Sequence, residues 1–481
     1  MMNLPYLPGD IEDEWLPWAQ QEFEGAGLGD ARLDKRLIQI AGAFMNSPQS
    51  SIPGSCGGWA GSKAAYRFFD NEKVEPGLIV GRHRKNVLER AESEPVVLAL
   101  GDTTMLDYTN HPYAIGLGPL SDVNHQGMLV QPCLVVTPHR VPLGIIDLQT
   151  WVRDFSDFGN SKDTKDNRPI EEKESFKWME SLQAAERFQQ EIGDETQVVS
   201  VFDREGDIFD VLHAATTEGQ KSRILIRAKN DRAVKDDEDH VGHLWDILRE
   251  KPIVETLVVT QSRQRDQKGR EATVSVRFSE ISISAPRRRP KSAGRNPISA
   301  FAVFVHEDNP PKGVDPISWM LLTTVPVRTV DDALQIVSWY ACRWMIEILF
   351  KVLKSGCESE ERQLETYKRL ERCLAVDIIV AWRILFLTTV GRDTPDLPCT
   401  VVFDEQEWKA LWVFVYKSPE KIPQDPPSLR EVSRTIGRLG GHLGRKQDGE
   451  PGVVTMWRGL QRLPDITKMW IIFNQKSEKH K

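Results

Sequence analysis

Hydrophobic and polar positions change period along this chain, and each change marks a different kind of structure. Up to about residue 75 the spacing is helical. Asp30 is placed to cap a helix through "ARLDKRLIQIAGAF", in which Arg32, Lys35 and Arg36 share a face opposite Leu33, Leu37 and Ile40. A Ser/Gly-rich stretch, "NSPQSSIPGSCGG", separates it from a second helix, "GSKAAYRFFDN". The unit is small, helical and basic, which suits either a DNA-binding module or a packing domain.

The middle of the chain alternates differently. "PVVLALGD" reads as a buried strand ending at Asp102, "MLVQPCLVVTPHRVPLGIIDLQTW" as two strands joined by a Pro-rich turn, and "TQVVSVFDREGD" as a strand ending at Asp203. A charged helix is expected around residues 171–191 and another near 206–216, followed by the strand "RILIRAK". Between 232 and 327 the signals are mainly extended: "IVETLVVTQS", "EATVSVRFSEISISA", "ISAFAVFVHE" and "WMLLTTVPV". Beyond about residue 371 the pattern is helical again, broken by "RDTPDLP" and "KSPEKIPQDPPS", and Ser428 with Glu431 makes a capping box. The expected organisation is a helical domain over 1–75, an α/β domain over 76–370 with a β-rich insertion at about 232–327, and a helical domain over 371–481.

One helix in this pattern is interrupted. In "WYACRWMIEILFKVLKSG", residues 339–356, a turn of about 100° per residue puts Tyr340, Arg343, Glu347, Lys351 and Lys354 on one narrow stripe. Met345, Ile346, Ile348, Leu349, Phe350, Val352 and Leu353 fill the other directions, so the rest of the helix can be buried while the stripe faces a polar cleft. Thr329 with Asp332 resembles a capping arrangement at its start, and Gly356 suits a left-handed closing residue. The stripe also reads as a salt-bridged surface, Glu347 lying four positions from both Arg343 and Lys351.

Composition narrows the class without naming it. The 481 residues are 40% hydrophobic and 27% charged, enough for two or three domains with a sizeable core. No uninterrupted apolar run approaches the roughly 20 residues that span a bilayer, and the start, "MMNLPYLPGDIEDEW", is acidic and Pro-broken, so a soluble intracellular protein is expected. Cys56, Cys133, Cys342, Cys357, Cys373 and Cys399 are scattered without a C-x-x-C pair, which argues against a zinc site or a disulfide framework. The net charge of −8 argues against a polyanion partner, but from Arg263 to Arg295 there are ten Lys or Arg against three acids, including Arg287, Arg288, Arg289 and Lys291. Such a run is either a solvated loop or a phosphate-tracking arm.

Three acids draw chemical attention. Asp102 and Asp203 each end an apolar strand and Glu347 lies on the polar stripe, so a sheet with a helix across it can bring all three to one point. Phosphodiester transfer needs hard oxygen ligands that hold Mg²⁺ and leave room for water and phosphate. With two ions about 4 Å apart, one activates the attacking oxygen and the other the leaving oxygen. Asp102 in "GDTT" and Asp203 in "DREGD" read equally as turn or helix-capping residues.

The set "GDTTMLDY", "FDREGDIFD" and "YACRWMIEILFK" with Lys354 resembles the DDE transposases of the insertion-sequence-four family, particularly the Tn-five-like branch. The hallmark of that branch is Tyr, two residues, Arg, three residues, Glu, six residues, Lys, and Tyr340, Arg343, Glu347 and Lys354 reproduce it in full. "GLGDARLDKRL", "AAYRFFDN", "NPPKGVDPISWMLLTTVPV" and "IGRLGGHLGRK" extend the likeness over most of the chain.

The resemblance implies an α/β fold: a ribonuclease-H-like mixed-sheet catalytic core with a β-rich insertion, flanked by helical N- and C-terminal domains. It implies cut-and-paste transposition by a homodimer that synapses two transposon ends, in a bacterial, nucleoid-associated enzyme with no membrane partner. It implies that Asp102, Asp203 and Glu347 bind Mg²⁺, two ions per site, with Mn²⁺ substituting. Tyr340, Arg343 and Lys354 would contact phosphates near the transposon terminus, and Trp319 would receive a flipped base when the end is cleaved through a hairpin. Arg227 and Lys229, with Arg32 and Arg36 of the first helical unit, would also touch DNA. Two features depart from the family pattern: the acidic balance, and a "YKSPEKIPQDPPS" stretch without a dense Lys/Arg run. A non-catalytic end-binding protein on the same fold, and a sequence-tolerant nuclease without strand transfer, are the competing readings.

Overall fold

In the computed structural model of the chain, residues 16–157, 170–261, 270–286, 295–393, 395–401, 403–445 and 448–478 are described. The N-terminal helical spacing gives the helices Leu16–Phe23, Ala31–Asn46, Ile52–Ser55 and Trp59–Asp70, and Pro76–Ala91 then leads into the sheet. Asp30 caps the helix it precedes, its side chain accepting from the Arg32 amide at 2.9 Å. Leu37 and Ile40 are buried on one face, while Arg32 and Lys35 face solvent on the other.

The described strands join into one 13-stranded sheet. They are β1 (Val96–Gly101), β2 (Thr104–Asp107), β3 (Gly118–Pro119), β4 (Gln126–Val136), β5 (Pro142–Trp151), β6 (Gln197–Phe202), β7 (Arg223–Arg227), β8 (Ala233–Asp236), β9 (Val241–His243), β10 (Glu255–Gln261), β11 (Arg270–Ile283), β12 (Ile298–His306) and β13 (Ser318–Thr323). One half runs β5-β4-β1-β6-β7, with β1, β6 and β7 parallel and β4 antiparallel to β1 and β5. β13 then pairs antiparallel with β7, and β12, β11, β8 and β9 follow outward. The extended region 232–327 therefore prolongs this sheet instead of stacking on it.

Side-chain alternation splits the core into two layers. Leu98 and Leu100 of β1 join Val199 and Val201 of β6 on the face that belongs to the main core, which also holds Ile378 and Ile379. Val97, Ala99 and Val198 point the other way, against Ala185 and Phe188 of the helix Lys177–Ile192. Both faces being covered explains why β1 and β6 read as unbroken apolar runs.

The long helix Tyr367–Asp393 organises the remainder. It packs on β5 and on the helices Ala31–Asn46, Trp59–Asp70, Pro76–Ala91, Leu429–Leu439 and Val453–Leu460. Residues 367–391 are long and apolar enough to cross a membrane by length and composition alone, yet the most apolar stretch is 89% buried inside the protein. Its apolarity serves the core. Arg362 and Asp377 form a buried ion pair at 2.8 Å beside it, and Arg362 also donates to the Ser50 and Pro48 carbonyls, tying the N-terminal helices down.

Some sequence expectations need correction. The single helix over 339–356 is in fact the end of Val330–Ala341, a tight turn at Cys342 and Arg343, the helix Trp344–Lys351, and a π-helical turn at Val352–Gly356. Gly356 sits inside that π turn, and the left-handed residue that follows is Glu358, with φ 47°. "GDTT" runs on into a strand, β2, which continues along the β4 edge that β1 has left. The basic run Arg287, Arg288, Arg289 and Lys291 lies outside the described residues. The capping boxes at Thr329/Asp332 and Ser428/Glu431 are both present.

Candidate active site

Two strand ends supply the first pair of carboxylates. β1 and β6 are parallel neighbours with Leu100 opposite Val201, so two residues further on Asp102 and Asp203 emerge side by side beyond the carboxyl ends of the strands. This is the edge where open α/β sheets place ligands. Gly101 permits the approach, since a Cβ there would meet the Phe202 ring at 2.9 Å. Asp102 Oδ1 accepts from the Thr103 amide at 2.8 Å, and Asp203 Oδ1 accepts from the Glu205 amide at 2.8 Å, capping a short 3₁₀ turn. The capping reading thus holds for Asp203 alongside its convergence with Asp102, whereas Asp102 caps no helix because the chain runs on into β2.

The third carboxylate arrives on the helix Trp344–Lys351. Arg343, just before it, donates to Asp102 Oδ2 at 3.0 Å and to Glu347 Oε1 at 2.5 Å, spanning the two acids. Burial, then the Asp203 charge, push the Asp102 carboxyl up to about 6 against the pull of Arg343. Asp102 therefore stands in a place that disfavours its own negative charge in spite of the Arg343 guanidinium beside it.

The helical irregularities lie on either side of Glu347. Amides at 343, 345 and 346 bond three residues back, and the Cys357 amide bonds five back to Val352. Tight winding followed by loose winding departs from an even 100° per residue, and π turns of this kind recur at functional sites. Tyr340, three residues before Arg343, lines the same cleft as Arg343. It is only 4% exposed, lies edge-on to Trp319 at 5.3 Å between ring centroids, and has its phenol pushed up by burial.

Tyr340 and Trp319 line a cleft of about 550 Å³ with Arg227, Arg343 and Trp344. Trp319 is half-buried and packed against the core, as the structural reading of a strand anchor expects, yet it also faces this space. Arg227 donates to the Ser318 carbonyl at 2.9 Å, while its Nε is buried without a hydrogen-bond partner. Lys229 is exposed just past β7. Lys351 is also exposed, but Lys354 pairs with Glu360 at 3.5 Å and lines a second cleft with Gln49, Ser50 and Ser51. Arg32, with a side chain 90% exposed, and the partly exposed Arg36 sit on the N-terminal helix, on a different part of the chain.

Supporting residues were missed at the sequence level. Gln131 is fully buried; it accepts from the Thr103 hydroxyl at 2.7 Å and donates to Ser181 Oγ at 2.7 Å, bracing the β1 exit against the helix behind. Asp207 is also buried, pairs with Arg232 at 2.5 Å and accepts from the Lys229 and Asn230 amides, fixing the turn after Asp203 to the turn after β7. Its place four residues after Asp203 in "DREGD" was the available signal. Among the described residues, Asp236, Glu238 and His240 have ligand-type atoms all within 4.8 Å of one another, although Asp236 already carries the Lys251 ammonium at 3.0 Å.

Comparison with known families matches three segments in chain order: "Transposase DNA-binding" over residues 16–74, "Transposase DDE domain" over 210–381, and "Transposase Tn5 dimerisation domain" over 379–469. Together they define the chain as a DDE-type DNA transposase with a dimerising C-terminal part. In its domain content it is Tn5-like. The DDE segment contains Glu347, whereas Asp102 and Asp203 precede it and join it through the sheet. A DDE domain and an acidic group such as Asp236, Glu238 and His240 speak for divalent-metal use. A solved structure, the cryo-EM structure of a piggyBac transposase synaptic complex with hairpin DNA, is similar at a TM-score of 0.35 and 8% identity over 80% of this chain and 77% of that one. That likeness is too weak to bear on the assignment.

Proposed function

We propose that this chain is a cut-and-paste transposase of the insertion-sequence-four family that cleaves transposon ends through a hairpin and joins the 3′ ends to target DNA. The observation that carries the reading is the side-by-side emergence of Asp102 and Asp203 from parallel strands, with Arg343 bridging Asp102 to Glu347. The mixed order β5-β4-β1-β6-β7 supports a ribonuclease-H-like core within a catalytic domain over 76–370, with end binding over 1–75 and dimerisation over 371–481.

Asp102, Asp203 and Glu347 would hold Mg²⁺ or Mn²⁺, since three carboxylates with one guanidinium among them form an all-oxygen donor set with net negative charge. When bound, such ions activate the attacking oxygen and stabilise the leaving oxygen of an in-line displacement. The residues around them do the positioning. Arg343 is the counter-charge of Asp102 and Glu347 and stands at the cleft mouth where a phosphate can take its donors. Trp319, with Tyr340 edge-on behind it, offers an aromatic surface for an unstacked base, and Arg227 with Lys229 lies along the same edge. Lys354, released from Glu360, would add a phosphate contact.

Purified protein given duplexes that carry the DNA flanking its coding region is expected to nick, form hairpins and join ends only with Mg²⁺ or Mn²⁺. Asp203→Ala should abolish all three products. Cleavage that survives Asp203→Ala or EDTA removes the reading.

A further inference from the structure

In the helix Trp59–Asp70, the residues Ser62, Ala65, Phe68 and Phe69 are buried. The opposite face carries Trp59, Lys63 and Arg67, each four residues from the next and all exposed. That spacing sets them about 6 Å apart along one stripe, close to two base steps of about 3.4 Å. Asp70 ends the same stripe, but its carboxylate is taken by Arg369 at 2.6 Å. Trp59 itself is 82% exposed, among the most exposed large apolar side chains in the protein. An indole left in water at that level gains much by finding a cover.

The backbone before it is equally bare. Gly57 and Gly58 have φ of 67° and 101°, and a Cβ on either would meet nothing within 4 Å. Glycine is there for the left-handed backbone, and it leaves a smooth approach beside the indole.

We propose that Trp59 is a base-contacting, sequence-discriminating residue for double-stranded DNA, with Lys63 and Arg67 positioning the helix on phosphates. The proposal rests on the DNA-binding assignment of residues 16–74 and adds to it which face meets DNA and which side chain reads it. The partner is fixed by charge complementarity: two cations, no unpaired acid on the stripe, and at its leading end one aromatic able to lie against base edges and thymine methyl groups in a groove.

The test is selection from a random-sequence duplex library by the full chain in EDTA, so that binding is read without cleavage. The native chain is expected to enrich one sequence. Trp59→Ala should bind that duplex at least about tenfold more weakly while keeping its affinity for unselected duplex. Trp59→Phe should recover part of the difference. Lys63→Ala with Arg67→Ala should weaken binding to every duplex and lower the salt slope by about two. Trp59→Ala with unchanged enrichment and a native melting profile overturns the proposal alone. A native chain that enriches nothing overturns both it and the end-binding reading.

Discussion

The Arg343 guanidinium lies between Asp102 and Glu347, 3.0 Å from one carboxylate and 2.5 Å from the other. It occupies the place of a counter-ion for acids that the sheet and the helix force together. Removing it should therefore act in opposite directions on folding and on cation binding. Arg343→Ala is expected to lower the melting temperature of metal-free protein, by an amount set by about 1–3 kcal/mol of lost charge-assisted bonds. The same variant should show a larger rise in melting temperature on adding Mg²⁺ than the native chain does. An equal or smaller rise would mean that Arg343 does not compete with cations for these acids.

Asp102, pushed up to about 6 by burial and by Asp203, makes metal affinity depend on pH. Its proton must leave before an ion can bind. Mn²⁺ affinity measured by calorimetry should be nearly constant above the raised value and fall about tenfold per pH unit below it. The sign for folding is the reverse of the usual acidic pair. Between 3.8 and about 6 the folded chain holds this proton and the unfolded chain does not, so this group adds stability as the pH falls through that window. Asp102→Asn should accordingly raise the melting temperature of metal-free protein at neutral pH while removing cation binding; a lowered melting temperature would contradict the argument.

Glu22 predicts the opposite limb. Burial pushes its carboxyl up, but His83, Arg90 and Asn86 outweigh that and hold it at about 2. The Arg90 contact is 2.8 Å, and His83 Nε2 in turn accepts from the Ile145 amide at 2.9 Å, joining the first helix to β5. A carboxyl lowered on folding gives stability that is full above 4.5 and is lost as the pH falls toward 2. Glu22→Gln should lower the melting temperature at neutral pH and flatten the acid limb of a melting-temperature profile below 4.5. A parallel profile for both proteins would rule this pair out as the acid-sensitive link.

Gly101 tests how closely the strand ends must approach. A methyl group there would sit 2.9 Å from the Phe202 ring, so Gly101→Ala should destabilise by about 1–3 kcal/mol through overpacking. It should also reduce DNA cleavage more than DNA binding, because the residues 16–74 lie elsewhere. Adding Phe202→Leu is expected to recover part of the melting temperature. Cleavage that stays native in Gly101→Ala would show that the spacing of Asp102 and Asp203 is not critical.

Much of this was legible in the sequence because it is local. The apolar runs of β1, β4, β5 and β6 gave their own boundaries, and the capping boxes at Thr329 and Ser428 fixed helix starts by hydrogen bonds three residues long. The even stripe expected over residues 339–356 holds from Arg343 to Glu347 and is broken elsewhere by a tight turn and a π turn, which residue periodicity does not signal. Gln131 and Asp207 escaped notice for a different reason: each matters through partners distant in sequence, Ser181 for one and Arg232 for the other. Trp59 fell just outside the second helix as the sequence suggested it, which began at Gly61. That the extended region would pair with β7 could not be read from strand propensity, since pairing is decided by which edge is left open.

That pairing makes the sheet a gauge. Asp203 leaves the end of β6, Arg227 ends β7, and Trp319 stands on β13, three adjacent rungs of one ladder. The strand that carries the indole is thus two inter-strand steps of about 4.8 Å each from the strand that delivers the carboxylate, a spacing cut into the backbone itself. Loops at the far margin can lengthen or change composition without recalibrating it, and any molecule that must touch both ends has to be made to that measure.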